Sequence, residues 1–76
     1  MKDLLYYIVK ALVDRPEAIS IKEEQREGEL ILELTVDPSD MGKVIGRQGR
    51  IAKAIRTLIK TAAIRDNIRV NVDIRN

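Results

Sequence analysis

Residues 44–56 read Val-Ile-Gly-Arg-Gln-Gly-Arg-Ile-Ala-Lys-Ala-Ile-Arg, and the rest of the fold is organised around them. The pattern is that of an apolar helix end, a tight loop bounded by Gly46 and Gly49, and the start of a second helix. Glycine permits positive φ angles and close backbone approach, and the start of a helix favours anions. We therefore expect a site for a phosphate backbone. Its charged residues are Arg47, Arg50 and Lys53, and its apolar residues are Val44, Ile45 and Ile51.

The composition predicts a small binding protein rather than an enzyme. The chain has 76 residues, and we expect residues 1–76 to form one domain. Cysteine and histidine are both absent. Their absence removes disulfides, thiolate nucleophiles and the usual zinc ligands, and no serine lies beside a plausible base. We expect no catalysis, no cofactor and no metal.

The apolar segments are too short to place the chain in a membrane. No run approaches the length of a membrane-spanning helix, and the N-terminus has no secretory signal pattern. The sequence therefore predicts a cytoplasmic protein.

Charge is distributed unevenly along the chain. No acidic residue lies between Asp40 and Asp66, and this interval holds half of the 14 basic residues. All 12 acidic residues lie outside it or at its ends. Such asymmetry points to a polyanionic partner, although a solvated helix face is the more ordinary explanation of charge alone. The basic residues of the interval are Lys43, Arg47, Arg50, Lys53, Arg56, Lys60 and Arg65.

Hydrophobic periodicity predicts one helix and a hairpin before the glycine loop. The helix has an apolar stripe at i, i+3, i+4, i+7, with Asp3 as a candidate N-cap. Pro16 ends this helix. The strands show alternating apolar residues and a short turn, which favours antiparallel pairing. The predicted segments are a helix at 4–13, strands at 18–25 and 29–36, and a turn at 26–29; the helical stripe is Leu5, Ile8, Val9 and Leu12.

Two helices and a strand are predicted for the second half. Asp37 is a candidate N-cap, and Asp40 stands where the acid of a capping box would be. The predicted segments are a short helix with Met41, Val44 and Ile45 facing inward, a helix at 50–64, a loop at 65–67 and a strand at 68–75. The buried stripe of the long helix is predicted as Ile51, Ile55, Leu58, Ile59 and Ala62.

The element order predicts an α+β fold. It runs α-β-β-α-α-β, and the helical crossover between the second and third strands favours parallel pairing of these two strands. We expect a three-stranded mixed sheet with the helices packed on one face.

Taken together, these features resemble a type II KH domain. The sequence Ile45-Gly46-Arg47-Gln48-Gly49 matches the aliphatic-Gly-x-x-Gly pattern between two helices, and residues 42–56 are similar to the small bacterial single-KH RNA-binding proteins of the KhpA family. One position departs from the general KH pattern: Ala52 stands where a bulky aliphatic residue is usual. This departure affects the expected shape of the groove floor, and with it the nucleotide preference.

The resemblance implies that single-stranded RNA is held in a narrow groove by the GXXG loop. It implies a post-transcriptional regulator or RNA chaperone. Arg47 and Gln48 would contact phosphate or sugar, while the loop at 65–67 and the last strand would form the opposite wall. The implied RNA-binding residues are Lys43, Val44, Ile45, Gly46, Arg47, Gln48, Gly49, Arg50, Ile51 and Lys53.

An alternative is that the fold mainly binds protein. The resemblance also implies a homodimer or a complex with a second KH-domain protein. Exposed apolar residues of the last helix, with Ile59 and Ile64 as candidates, would supply such a surface. Dimerisation would raise the effective concentration of a groove that binds weakly on its own.

Overall fold

The computed structural model describes residues 1–75 and has the predicted α+β fold and element order. Asn76, the last residue of the predicted domain, lies outside the described residues. Short single-turn segments at Pro16–Ala18, Pro38–Asp40 and Arg47–Gly49 precede β1, α2 and α3. The elements are α1 (Lys2–Lys10), β1 (Ser20–Arg26), β2 (Glu29–Thr35), α2 (Met41–Ile45), α3 (Arg50–Arg65) and β3 (Arg69–Arg75).

The three strands form one mixed sheet in the order β1-β2-β3, as predicted. β1 pairs antiparallel with β2, and Leu34 lies opposite Ile21. β2 pairs in parallel with β3, and Leu32 lies opposite Val72. Because side chains alternate along a strand, these four residues share one face of the sheet. All four are buried, and the two leucines are fully so.

The helices pack against this buried face and together with it form a single hydrophobic core. The other face of the sheet carries mainly polar and charged side chains. The prediction of helices on one face is therefore confirmed. The helical residues that are at most 2% exposed are Leu5, Val9, Val44, Ile55, Ile59 and Ala63.

Helix α1 begins earlier and ends earlier than predicted. It starts at Lys2 because the Leu5 N–H donates to the Met1 carbonyl, at 3.1 Å. Asp3 therefore lies inside the first turn, and Met1 occupies the N-cap position. The prediction of Asp3 as the N-cap is wrong. The helix ends at Lys10, well before Pro16. The N–H of Ala11 donates to the carbonyl of Ile8, only three residues back, so the last turn is narrower than an α-helical turn.

The buried stripe of helix α3 matches the predicted one only in part. Ile55 and Ile59 are buried as predicted, whereas Leu58 is 55% exposed and is a wrong prediction. Ala52 and Ala63, which were not predicted, are buried as well. The alternative prediction of Ile59 as an exposed residue of a protein-binding surface is wrong, because its side chain is fully buried.

The remaining boundaries shift by a few residues. The first strand begins at Ser20 rather than at residue 18, because the single turn Pro16–Ala18 precedes it. Helix α3 extends to Arg65, and Asn67 with φ of 57° makes the turn into β3. Asparagine tolerates this left-handed conformation better than most residues.

Asp40 joins the exit of α1 to the start of α2. Its side chain is 1% exposed, and its carboxylate accepts hydrogen bonds from the backbone N–H groups of Asp14 (3.2 Å) and Arg15 (3.0 Å). It does not form the predicted capping box. Asp37, in contrast, caps as predicted and accepts from the Ser39 N–H at 2.9 Å.

Within residues 1–75, no helix combines the length and the apolar character needed to cross a membrane.

Candidate nucleic-acid interface

The glycine loop is a tight turn fixed by its own backbone. Helix α2 ends at Ile45, and the Gly46 N–H donates to the carbonyl of Gly42 at 2.9 Å. The Gly49 N–H then donates to the carbonyl of Gly46 at 3.2 Å. These bonds hold the loop in one shape and place α3 directly after it.

Gly46 and Gly49 are both at positive φ, but for different reasons. Gly46 has φ 75° and ψ 174°, a conformation open essentially only to glycine. In addition, Ile51 packs over its α-carbon, so a β-carbon would not fit. Gly49 is in the left-handed helical region, and no described atom outside its own immediate chain neighbours lies within 4 Å of the position a β-carbon would take. Gly46 thus has a packing role, whereas Gly49 mainly supplies a turn.

Arg47 and Gln48 are exposed between the two glycines. Gln48 is itself left-handed, with φ 57° and ψ 26°, an uncommon conformation for a residue with a side chain. Arg50 lies next to it, and its Nη2 is 3.4 Å from Gln48 Oε1, a long and weak hydrogen bond. The loop therefore presents two long polar side chains to solvent at the start of α3.

The start of α3 is electropositive. Gly49 occupies the N-cap position and has no side chain with which to satisfy the free N–H groups of the first turn. The dipole of this 16-residue helix adds partial positive charge at the same point. The exposed side chains of Arg47, Arg50 and Lys53 surround it. This arrangement favours an anion that approaches the loop.

The three apolar candidates differ in accessibility. Ile45 is 37% exposed, so it faces inward less than predicted and is available for contact. Ile51 is half-buried against Gly46. Val44 is fully buried and can shape the site only from beneath. Ala52, the residue that departs from the KH pattern, is also buried, at 5% exposure.

Lys43 differs from the other basic candidates because acidic residues compensate its charge. Its ammonium group forms an ion pair with Asp14 and lies 3.6 Å from Asp40 Oδ1. The hydrogen bond to Asp14 raises the pKa of Lys43, and the charge of both carboxylates adds to this effect against the cost of desolvation. These two carboxylates therefore hold the Lys43 side chain at the junction between α1 and α2.

The same junction fixes the charge of Asp40. Burial alone would raise the pKa of Asp40, but the two backbone N–H donors and the Lys43 ammonium group outweigh it. They hold the pKa below its ordinary value of 3.8. The negative charge of Asp40 is thus balanced by these donors within the fold, which reduces its repulsion of an anion at the loop.

A basic face runs from the loop along α3. Lys53, Arg56 and Lys60 are three and four residues apart, so they lie on one side of the helix. Arg56 Nε donates to the carbonyl oxygen of Val72 in β3 at 3.1 Å. Lys60 lines a shallow cleft with Val70. This face of α3 therefore lies beside β3, the strand predicted to form the opposite wall.

Two features of the site were not predicted from the sequence. The first is the contact of Arg56 with β3, although its spacing from Lys53 was a signal that the two share a face. The second is the anchoring of Asp40 by the chain near Asp14. No local sequence pattern predicts a hydrogen bond between residues that are 26 positions apart.

Comparisons with known proteins identify the family to which the chain is similar. A family model described as the KH domain of KhpA/KhpB matches residues 2–74. The RNA-binding protein KhpA of Clostridium perfringens is 58% identical over 74 residues, which are 97% of this chain and 99% of the relative. That of Clostridium acetobutylicum is 60% identical over the same shares. The RNA-binding protein KhpA of Chlamydia muridarum is 54% identical over 97% of this chain and 95% of the relative.

Proposed function

Because the chain belongs to the KhpA/KhpB family of KH domains, we propose that it is a cytoplasmic RNA-binding protein that holds single-stranded RNA in its groove. In this proposal residues 1–76 act as one KH domain without catalytic activity. The cellular role is that of a post-transcriptional regulator or RNA chaperone.

One observation carries the proposal: the start of α3 combines free N–H groups with the exposed side chains of Arg47, Gln48 and Arg50. Phosphate oxygens accept hydrogen bonds from such N–H groups, and the dipole favours their charge. Arginine adds charge-assisted contacts. Asp40, which immediately precedes α2, is buried and already paired with Lys43.

The groove accounts for single-stranded selectivity. A base must leave a duplex to lie against apolar and backbone groups, whereas it is available in single-stranded RNA. Ile45 and Ile51 offer the apolar surface, and the outer edge of β3 offers backbone groups. The proposed RNA-binding residues are Ile45, Gly46, Arg47, Gln48, Gly49, Arg50, Ile51 and Lys53, with Val44 beneath them and Lys43 at the margin.

The proposal is tested by binding of short single-stranded RNA and of a perfect duplex of equal length. We expect tighter binding of the single strand. Because the loop and adjacent helix turn contact only about three or four phosphates, the salt dependence should be moderate, at about 0.7 in the log–log slope for each phosphate. Equal affinity for the duplex would place binding on the basic face instead of in the groove. No binding at low salt would favour the protein-interaction alternative.

The alternative has its own observation, on the solvent side of α3. Leu58 is 55% exposed and Ile64 is 75% exposed. The exposed positions Ala54, Thr57 and Thr61 on the same side of the helix carry no charge, and the exposed Arg50 and Arg65 lie at the two ends of this stretch. An exposed stretch that carries no charge between its ends is unusual for a helix of a small protein. We propose that this face, in addition to RNA binding, allows self-association or contact with a second KH-domain protein.

Self-association is measured by sedimentation across a concentration series. The double substitution Leu58→Gln and Ile64→Gln should shift the equilibrium to monomer, because it removes apolar area from the proposed interface. Tyr7→Gln is the matched control, since Tyr7 is 73% exposed on α1. A monomeric wild-type protein, or equal effects of both variants, would contradict an interface on α3.

A further inference from the structure

Arg56 connects helix α3 to the free edge of the sheet. Its Nε donates to the carbonyl oxygen of Val72 at 3.1 Å, although the two residues are 16 positions apart. β3 pairs only with β2 within the described sheet, so its other edge, which Arg56 reaches from α3, has no strand partner there. The Val72 carbonyl points to that edge because Arg56 reaches it from outside the ladder.

This hydrogen bond changes what the edge offers to a nucleotide. A bare strand carbonyl is an acceptor, and it would bind the exocyclic amino group of a base, which adenine, cytosine and guanine all carry. Arginine has five N–H donors and no acceptor. With one donor used on Val72, the guanidinium covers the acceptor and replaces it with the donors of its two terminal nitrogens.

The terminal nitrogens of Arg56 are available for this role. They make no hydrogen bond to any of residues 1–75, and no carboxylate in that part of the chain lies within ion-pair distance of Arg56. The side chain is half-buried and is fixed by the Val72 bond. A donor pair held in a defined position loses less conformational entropy on binding than a free surface arginine does.

We propose, resting on the proposed RNA-binding function, that Arg56 determines the base preference of the groove. It selects a base that presents two adjacent acceptors, which is guanine through O6 and N7 or cytosine through O2 and N3. Adenine and uracil place a donor beside each acceptor on the corresponding edges, and they oppose the arginine fork. Arg56 thus reads a base, whereas Arg47 and Gln48 hold the backbone.

Wild-type protein provides the first test, without any substitution. Short oligouridine is compared with the same oligonucleotide carrying one central guanosine, cytidine or adenosine. A bidentate contact of arginine with a base is worth at least about fivefold in affinity. We therefore expect guanosine or cytidine to bind at least about fivefold more tightly than adenosine.

Substitution of Arg56 separates base reading from charge. Arg56→Lys keeps the positive charge but loses the planar fork. It should bind oligouridine as the wild type does and lose the preference for guanosine or cytidine. Arg26→Lys, on the opposite edge strand β1, is the matched control and should retain the preference. A purely structural role of Arg56 would instead lower affinity for all oligonucleotides in equal proportion.

The outcomes distinguish this inference from the function on which it rests. Binding of single-stranded RNA with equal affinity for all four bases would overturn the role of Arg56 and leave the proposed function standing. An Arg56→Lys variant that keeps the preference would do the same. A wild-type protein that binds none of the oligonucleotides would overturn both.

Should Arg56→Lys fail to fold, the wild-type Nε–H resonance of Arg56 gives the same information by NMR. We expect this resonance to shift more with the guanosine or cytidine oligonucleotide than with the adenosine one. Equal shifts would contradict base reading by Arg56.

Discussion

Ile51 packs so closely over Gly46 that a β-carbon on Gly46 would lie 2.5 Å from Cγ1 of Ile51. The two glycines of the loop are therefore not equivalent. Gly46 has no room for a side chain and has a glycine-only backbone conformation, whereas Gly49 has open space. The contact also orients the first turn of α3 relative to the end of α2.

This difference predicts unequal effects of alanine at the two glycines. Gly49→Ala should cost about 1–2 kcal/mol, the penalty of a left-handed residue. Gly46→Ala should cost more, on the order of 3 kcal/mol, because strain and overpacking add. Chemical unfolding of each variant gives the measurement. Similar losses at both positions would show that Ile51 moves aside without cost.

Gly42→Ala is the control for this series. Gly42 lies inside α2, and no described atom outside its chain neighbours and its own helix backbone is within 4 Å of its β-carbon position. Alanine there should raise the free energy of unfolding by up to about 1 kcal/mol, since glycine disfavours a helix interior. A loss of stability at Gly42 would indicate that α2 needs glycine for a reason other than space.

We predict that Asp40 makes part of the free energy of unfolding sensitive to acid. Its pKa is lowered in the folded state, so its contribution is fully present above the pKa of the unfolded state, at about 4. It is lost as the pH falls through the lower folded-state pKa. Asp40→Asn should therefore be less stable than wild type at neutral pH, and the difference should shrink in acid. A difference in unfolding free energy that is constant with pH would contradict this account.

We predict that substitutions of Lys43 and Lys53 have unequal effects on RNA affinity. Lys43 is paired with Asp14 and Asp40, whereas Lys53 is exposed near the start of α3. Lys53→Gln should weaken RNA binding and reduce the salt slope by about 0.7, the value for one phosphate contact. Lys43→Gln should change RNA affinity much less. Titrations at several salt concentrations would contradict this prediction if both variants lost affinity equally.

The sequence predicted the fold well because its patterns are local and redundant. Leu32 and Leu34 alternate with Ile31, Glu33 and Thr35, and Val70 and Val72 alternate with polar residues, so the buried face of the sheet could be read directly. The Gly-x-x-Gly pattern between two helices identified the family. Strand pairing then followed from the turn at Glu27–Gly28 and from the length of the crossover.

The errors arose where tertiary contacts overrule local pattern. Leu58 carries more apolar character than Ala63, and periodicity therefore favoured the stripe that contains Leu58. In the structure Ala63 instead belongs to the core that α3 shares with the sheet, and Leu58 faces solvent. Asp40 matched a capping box, but the distant N–H groups near Asp14 bind its carboxylate. The bond from Arg56 to Val72 likewise depends on how α3 lies beside β3.

The double substitution Arg47→Asp and Gln48→Asp is the sharpest test of whether the loop between Gly46 and Gly49 clamps RNA. Both side chains are exposed, and aspartate tolerates the left-handed conformation at Gln48. Surface substitutions of this kind change stability by about 0.5 kcal/mol or less. The local charge, however, becomes more negative by three, through one lost arginine and two added carboxylates.

RNA affinity and melting temperature are measured together for the wild type and this double variant. Gln25→Asp with Arg26→Asp, on the exposed edge strand β1, makes the same change of charge away from the loop and serves as the control. If the loop clamps RNA, the loop variant should fold with a near wild-type melting temperature and lose RNA binding, while the control still binds. A loop variant that folds normally and binds RNA with wild-type affinity would contradict this role of the loop.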